Sequence, residues 1–352
     1  MSLRDDLLRR FPRLQAIPPG CYVVGGAIRD SHLGVPPRDV DVAAPDALAA
    51  ASAAGRRVIR LGTAGHLSAW RVVDAEHVYD FADLLDADIA ADLARRDFTV
   101  NAMAVSLDDG ALLDPHRGRD DIEARIVRMI DASNFDDDPL RCLKAVRMAV
   151  TLGMEIEEGT LEAIRSRAPA ILSVAAERVT YELAVVFAAG RFRKAVDLLH
   201  QTGLDRVLFG GHLDSGKFFA DDVTLAGALA LLVRDPRAYA KRWRWSQAVL
   251  REVGALQGLL GVDGDRRVAL YDAGEEVARQ LPPLLRATGR PPQLEMPDFS
   301  LSSLLNGEEI AAAASLSPGP ELGRVKRALL EAQIRGEVTT REQALAFVKQ
   351  TG

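Results

Sequence analysis

Short apolar runs separated by turn residues fill the first third of the chain, and a helical pattern then takes over. Residues 22–24, 40–43, 58–61, 69–73 and 78–81 read as strands, with 105–107, 112–113 and 126–130 as shorter candidates. Helical stretches fall near 3–10, 27–33 and 47–54. From about residue 134 the apolar positions recur at helical spacing. Leu140, Leu143, Ala145, Val146 and Val150 form one such set, and Val179, Leu183, Val186 and Phe187 another. Asn134 or Asp136 is placed to cap the first of these helices. Gly210-Gly211 and residues 263–265 read as later breaks, and Pro282-Pro283 and residues 289–297 as loop. The pattern predicts an α/β region followed by an all-α region, without internal repeats.

The densest chemistry lies in Gly25-Gly26-Ala27-Ile28-Arg29-Asp30, followed by Asp39-Val40-Asp41. Strand side chains alternate faces, so Asp39 and Asp41 point the same way. Two carboxylates on one strand face repel unless a cation sits between them. Mg²⁺, held by one or two carboxylates plus substrate phosphates, is the hard cation that fits. Glycines allow close backbone approach and offer amides to phosphate where a helix begins. Taken singly, a Gly-Gly is more often an ordinary turn and an Asp-x-Asp a solvated strand end. Their order, strand, turn, helix and strand, describes a metal-dependent site for a nucleoside triphosphate.

This order resembles the nucleotidyltransferase superfamily. Residues Arg95-Arg96-Asp97-Phe98-Thr99-Val100-Asn101-Ala102-Met103-Ala104 resemble the second signature of the class II tRNA nucleotidyltransferase and bacterial poly(A) polymerase family. Asp114-Pro115 to Gly118 with Asp120-Asp121-Ile122 resembles the third. Asp137-Asp138-Pro139-Leu140-Arg141 resembles the fourth, and Glu177-Arg178 with Glu182-Leu183 the fifth. The matches keep family order across residues 20–205. Asp137 stands where the family usually has Glu, and Lys144 where it often has Arg; the latter loses bidentate geometry.

The resemblance implies a nucleotidyltransferase (polymerase-β-like) palm with a mixed sheet over residues 1–131. It implies a helical neck with the nucleotide-selecting helix over 132–205, a body over 206–270 and a tail over 271–352. The implied reaction is attack of a tRNA 3′-hydroxyl on the α-phosphate of CTP or ATP. Asp39 and Asp41 are the expected metal ligands and Asp80 the expected third acid, with a solvated strand residue as the alternative. Gly25, Gly26, Arg29, Asp30, Arg95, Arg96, Asp97 and Asn101 are expected around the nucleotide, joined by Lys144 and Arg147. Asp138 and Arg141 share a helix face at i, i+3. A carboxylate accepts from an exocyclic amino group and a guanidinium donates to ring acceptors, so the pair fits C and A and rejects U and G.

Family members that add a whole CCA end carry a flexible loop after the strand of the third acid. Here residues 80–86 run almost directly into 88–93 and the Arg95-Arg96-Asp97 motif, and no arginine lies between Arg71 and Arg95. The expectation is a CC-adding enzyme, which needs a separate A-adding enzyme on the same tRNA. Full CCA addition is the next reading, then A-adding or poly(A) synthesis. An inactive RNA-binding scaffold has no need for the metal pair. No P-loop lysine motif is present, which excludes that class of kinase and ATPase.

Composition changes this picture little. A formal net charge of −6 hides uneven sign. Arg191, Arg193 and Lys194 cluster, as do Arg234, Arg237, Lys241, Arg242 and Arg244 with Tyr239, Trp243 and Trp245. Such stretches track phosphates and stack on bases, or are solvated helix faces with aromatics turned inward. Arg178, Arg191, Arg193, Lys194, Lys241 and Arg242 are the expected tRNA contacts. Two distant cysteines, no signal-peptide pattern and no membrane-length apolar run make a cytoplasmic protein the expectation. The six histidines show no paired metal-ligand spacing.

Overall fold

Strand β2 (Asp39–Ala44) sets the logic of the first region. Val40 and Val42 are buried while Asp39 and Asp41 are exposed, so one face of the strand closes a core and the other carries charge. The computed structural model describes residues 2–64, 67–84 and 88–352. Its sheet also contains β1 (Tyr22–Val24), β3 (Val58–Ala64), β4 (Leu67–Val73), β5 (Val78–Asp83), β6 (Ala104–Ser106) and β7 (Leu112–Leu113). The strand order is β3-β4-β5-β2-β1-β6-β7. The β2–β5 pair is parallel and the others are antiparallel, giving the expected mixed sheet.

The parallel pair needs a crossover, and residues 45–77 supply it with the Ala47–Ala54 helix, β3 and β4. Ala47, Ala50, Ala51 and Ala54 are buried along one helical face, and the Asp46 side chain caps the helix at Ala49 N–H, 2.9 Å. Tyr79 and Phe81 are buried on the β5 face opposite Asp80.

Three local expectations change. The strand beginning at Ile126 ends at Val127, and Met129 makes only an isolated bridge to Phe98. Neither Asn134 nor Asp136 caps the long Leu140–Leu152 helix, whose N-cap position is Pro139. The buried Asn134 instead donates its amide to the carbonyls of Ala94 (3.0 Å) and Arg96 (2.9 Å), satisfying two loop acceptors. Pro282 and Pro283 lie in the first turn of the Leu281–Ala287 helix, where a missing N–H leaves no helical bond unmade.

Cα packing divides the chain into two units, residues 1–186 with 197–212, and residues 187–196 with 213–352. The second is helical among its described residues. One of its cores gathers Leu305, Ile310, Val325, Leu329, Ala344 and Val348. Tyr239 and Trp243 are buried while Lys241 and Arg242 stay exposed, so the aromatics of that basic stretch turn inward. Both cysteines are free and buried, and burial pushes the Cys21 thiol to about 11 and Cys142 to about 12. Among the described residues no helix is long and apolar enough to cross a membrane.

Candidate active site

Asp39, Asp41 and Asp80 stand on one side of the sheet. Asp41 faces Asp80 in the parallel β2–β5 register, and Asp39 lies two residues before Asp41 on the same strand face. Among the described residues neither Asp39 nor Asp41 has a hydrogen-bond or ion-pair partner. Crowding by protein pushes the Asp41 carboxyl up to about 6; Arg96 opposes the rise, while Asp80 and Asp39 add to it. Asp41 remains open to solvent on the sheet face and is not sealed in the core. Two unpartnered carboxylates beside a third fit a hard divalent cation. Asp80 is less free, because Arg71 on β4 binds both its oxygens, at 2.7 and 2.6 Å.

The glycine turn lies against Asp41 and Arg96. Gly25 has φ +76°, and a side chain there would meet Arg96 Nη1 at 2.9 Å and Asp41 Oδ2 at 3.6 Å. Its amide is not available for phosphate as expected: it donates to Met103 O at 3.2 Å, joining the turn to the sheet. Gly26 opens the Gly26–His32 helix, whose first amides have no intrahelical acceptor. Arg29 donates to Asp30 (2.8 Å) and to Asn101 Oδ1 (2.5 Å). Asn101 donates to Asp97 Oδ1 at 3.0 Å, and that carboxylate also accepts from Phe98 N–H at 2.9 Å. The first and second signatures therefore form one hydrogen-bonded network.

A cavity of about 310 Å³ brings Arg95, Arg96, Asp97, Asp138, Arg141 and Lys144 together. Arg96 pairs with Asp92 at 3.0 Å, whereas Arg95 has no such partner among the described residues. Asp138 and Arg141 sit at the start of the Leu140–Leu152 helix. Arg141 Nη1 donates to Asn134 O at 2.8 Å, while Asp138 Oδ2 accepts from Arg178 at 2.9 Å, with Lys144 at 4.0 Å. Burial pushes the Asp138 carboxyl up, but the Arg178 hydrogen bond and the charges of Lys144 and Arg178 outweigh it. The carboxyl ends below its ordinary range.

Two expected placements differ. Arg147 is not among the cavity residues; it pairs with the buried Glu182 of the Ala176–Ala188 helix, Nε to Oε2 at 2.6 Å. Arg178, expected at tRNA, is engaged with Asp138. Both changes have one cause: the fifth signature meets the Leu140–Leu152 helix and its start, where Arg178 and Glu182 take the nearest opposite charges. Arg191 and Arg193 are exposed and Lys194 is half-buried. The third signature is structural. Asp114 accepts from Gly118 N–H (2.6 Å) and Arg119 N–H (3.0 Å), and buried Asp121 accepts from Thr99 Oγ1 at 2.7 Å. Sequence reasoning did not place Arg71 or Asp92 at the site, and it read Asn134 only as a helix cap. Strand register brings Arg71 to the site, loop packing brings Asn134, and i, i+4 helical spacing sets Asp92 against Arg96.

The connection after Asp80 is short. β5 ends at Asp83, the next helix is Ile89–Ala94, and residues 84–88 join them; 85–87 lie outside the described residues.

Residues 59–128 match the model of the poly A polymerase head domain, and 153–214 that of a probable RNA and SrmB-binding site of polymerase A. The A-adding tRNA nucleotidyltransferase of Deinococcus radiodurans is 31% identical over 429 aligned residues, covering 97% of this chain and 98% of the relative. The CC-adding tRNA nucleotidyltransferase of Synechocystis sp. is 29% identical over 407, covering 99% and 97%. Both alignments are longer than this 352-residue chain, so each relative holds stretches this chain lacks. The crystal structure of the Bacillus stearothermophilus CCA-adding enzyme with CTP superposes with TM-score 0.77 at 25% identity, covering 99% of this chain and 98% of that one.

Proposed function

Because the chain belongs to the tRNA nucleotidyltransferase family, we propose that it adds C residues, CC, to the tRNA 3′ end from CTP with release of pyrophosphate. The observation that carries CC over CCA is the connection of residues 84–88 between β5 and the Ile89–Ala94 helix. By its length in the sequence, so short a segment leaves little room for a mobile insertion that re-aims the pocket from C to A.

In this reading residues 1–131 are the palm, 132–205 the neck, 206–270 the body and 271–352 the tail. Asp39 and Asp41 hold Mg²⁺, with Asp80 as the flanking acid. The bound metal supplies charge neutralisation and a lower pKa for the attacking hydroxyl. The unpartnered Arg95 turns toward the triphosphate, and the Arg29–Asn101–Asp97 network fixes the wall beside it. The tRNA 3′ oxygen forms a bond to the α-phosphorus, its proton leaves, and the bond to the β-phosphate oxygen breaks to release pyrophosphate. Asp138 accepts from the cytosine N4 amino group and Arg141 donates to N3 and O2. Uracil and guanine present a carbonyl against Asp138 and a ring N–H against Arg141, leaving buried groups unpaired. A separate A-adding enzyme finishes the same tRNA.

Full CCA addition, with ATP as second substrate, is the other reading. The same pair matches adenine N6 and N1, and an A-adding relative is 31% identical. Three tRNA transcripts, ending at the discriminator base, at C and at CC, separate these readings. Each is incubated with Mg²⁺ and CTP, ATP or both, and products are sized at single-nucleotide resolution. Arrest after CC, with no A added to the CC-ended transcript, is expected. Completion to CCA overturns the CC assignment and leaves the family intact.

A further inference from the structure

Away from the acidic face of the sheet, the fold assembles a second donor set that sequence spacing did not reveal. His200 lies at the end of the Phe192–Gln201 helix, Asp205 in the first turn of the Leu204–Phe209 helix, and His212 just beyond Gly210-Gly211. Asp205 is fully buried, whereas the two rings are about half exposed. One Asp205 oxygen accepts from Arg206 N–H at 2.7 Å. The other faces both rings, 2.8 Å from His200 Nδ1 and 3.8 Å from His212 Nδ1, and the two Nδ1 atoms lie 3.4 Å apart.

A buried carboxylate oxygen facing two imidazole nitrogens is satisfied either by a ring N–H, as from His200 Nδ1 at 2.8 Å, or by a bound cation that both rings share. Two Nδ1–H groups at that separation would set proton against proton, and one N–H with one lone pair would leave a ring-to-ring hydrogen bond at the long end of the range. With lone pairs there instead, the Nε2–H groups turn outward and three ligand atoms converge. Zinc takes nitrogen and carboxylate ligands at roughly 2.0–2.2 Å, so a tetrahedral shell has edges of about 3.3–3.6 Å. The three observed separations bracket that edge. Imidazole donors favour zinc over magnesium, which prefers oxygen.

We propose that His200, Asp205 and His212 form a binding site for a divalent transition metal, Zn²⁺ in class, with water as fourth ligand. The site is distinct from Asp39 and Asp41. It fastens the Gly210-Gly211 turn to the two helix ends that precede it. Both histidines also line a cavity of about 590 Å³ with Arg165 and Arg206, so the ion sits at the wall of a basic recess.

The test uses the full chain, stripped with chelator and then titrated with Zn²⁺ in excess Mg²⁺. Bound zinc is counted after gel filtration, and Co²⁺ substitution reports tetrahedral ligands by its visible absorption. One equivalent is expected in the parent and in Asp39→Asn/Asp41→Asn. His200→Ala and His212→Ala should each weaken binding beyond the ~10–100-fold that loss of an outer partner costs. Zn²⁺ should raise the melting temperature of the parent and the aspartate variant but of neither histidine variant. Metal-free melting shows whether the variants fold, and His212→Gln serves as a milder replacement. Zinc bound only through Asp39 and Asp41, or bound equally by parent and histidine variants, overturns the proposal.

Discussion

Arg178 and Asp138, forty residues apart in sequence, meet at 2.9 Å. The contact orients one half of the proposed base-reading pair and holds its carboxyl below the ordinary range after burial has pushed the other way. A charge-assisted hydrogen bond contributes about 1.5–3 kcal/mol. Arg178→Ala should lower kcat/KM for CTP by about 10–100-fold. A depressed carboxylate stays ionised as pH falls, so without Arg178 the acidic limb of the pH–rate profile should move to higher pH. Its stabilising share, present above the unfolded value near 4, should be lost earlier on acidification. A pH series of C addition by both proteins checks this, and superimposable acidic limbs would exclude control of Asp138 by Arg178.

Asp41 shows the opposite sign. Its pKa of about 6 lies above the unfolded value, so the folded chain holds a proton between about pH 4 and 6 that the unfolded chain releases. Metal-free stability should therefore fall as pH rises through that window. Asp41→Asn should melt above wild type at pH 7.5 without divalent ions, and Mg²⁺ should narrow the gap by stabilising wild type alone. Calorimetry with and without Mg²⁺ measures both.

Asp39→Ala should cut nucleotide incorporation on the order of a thousandfold or more, since metal neutralisation contributes several kcal/mol. tRNA binding by filter retention should change little. Incorporation at the wild-type rate would remove Asp39 from the metal assignment.

Asp138→Ala with Arg141→Ala should lower the C-over-U preference by about a hundredfold or more, because paired groups reject a mismatched edge most strongly. Competition between CTP and UTP on a tRNA ending at the discriminator base reads this directly. An unchanged ratio would place base choice elsewhere.

Gly118→Ala tests the structural role of the third signature. A Cβ there would lie 2.3 Å from Thr99 O, which backbone must move to avoid. A loss of about 2 kcal/mol or more is expected, seen as a lower denaturant midpoint. Wild-type stability would mean that the loop relaxes freely.

Most of the sheet was readable because its strands alternate or run apolar between turn residues, and Asp39 and Asp41 announced themselves by spacing. Arg71 did not. It reaches Asp80 only through antiparallel pairing of β4 with β5, which no local pattern encodes. Arg147 and Arg178 were legible as family positions but not in their contacts, since helix-to-helix ion pairing depends on packing. Asn134 misled for a related reason: a residue suited to helix capping was recruited to neighbouring carbonyls. His200, Asp205 and His212 stayed hidden because a glycine turn, not a helical repeat, brings the last of them back.

The parallel register that sets Asp41 beside Asp80 also governs where this chain tolerates changes in length. An insertion or deletion of one residue before Asp80 in β5 would swap its inward and outward sides, sending the carboxylate into the core and Tyr79 or Phe81 into solvent. β5 ends at Asp83, and beyond it no strand register is left to shift, although Leu84 is still buried and its N–H donates to Ala44 O. The metal-facing strands are thus closed to insertion, and a lineage can change length only outside them without disturbing the carboxylate pair.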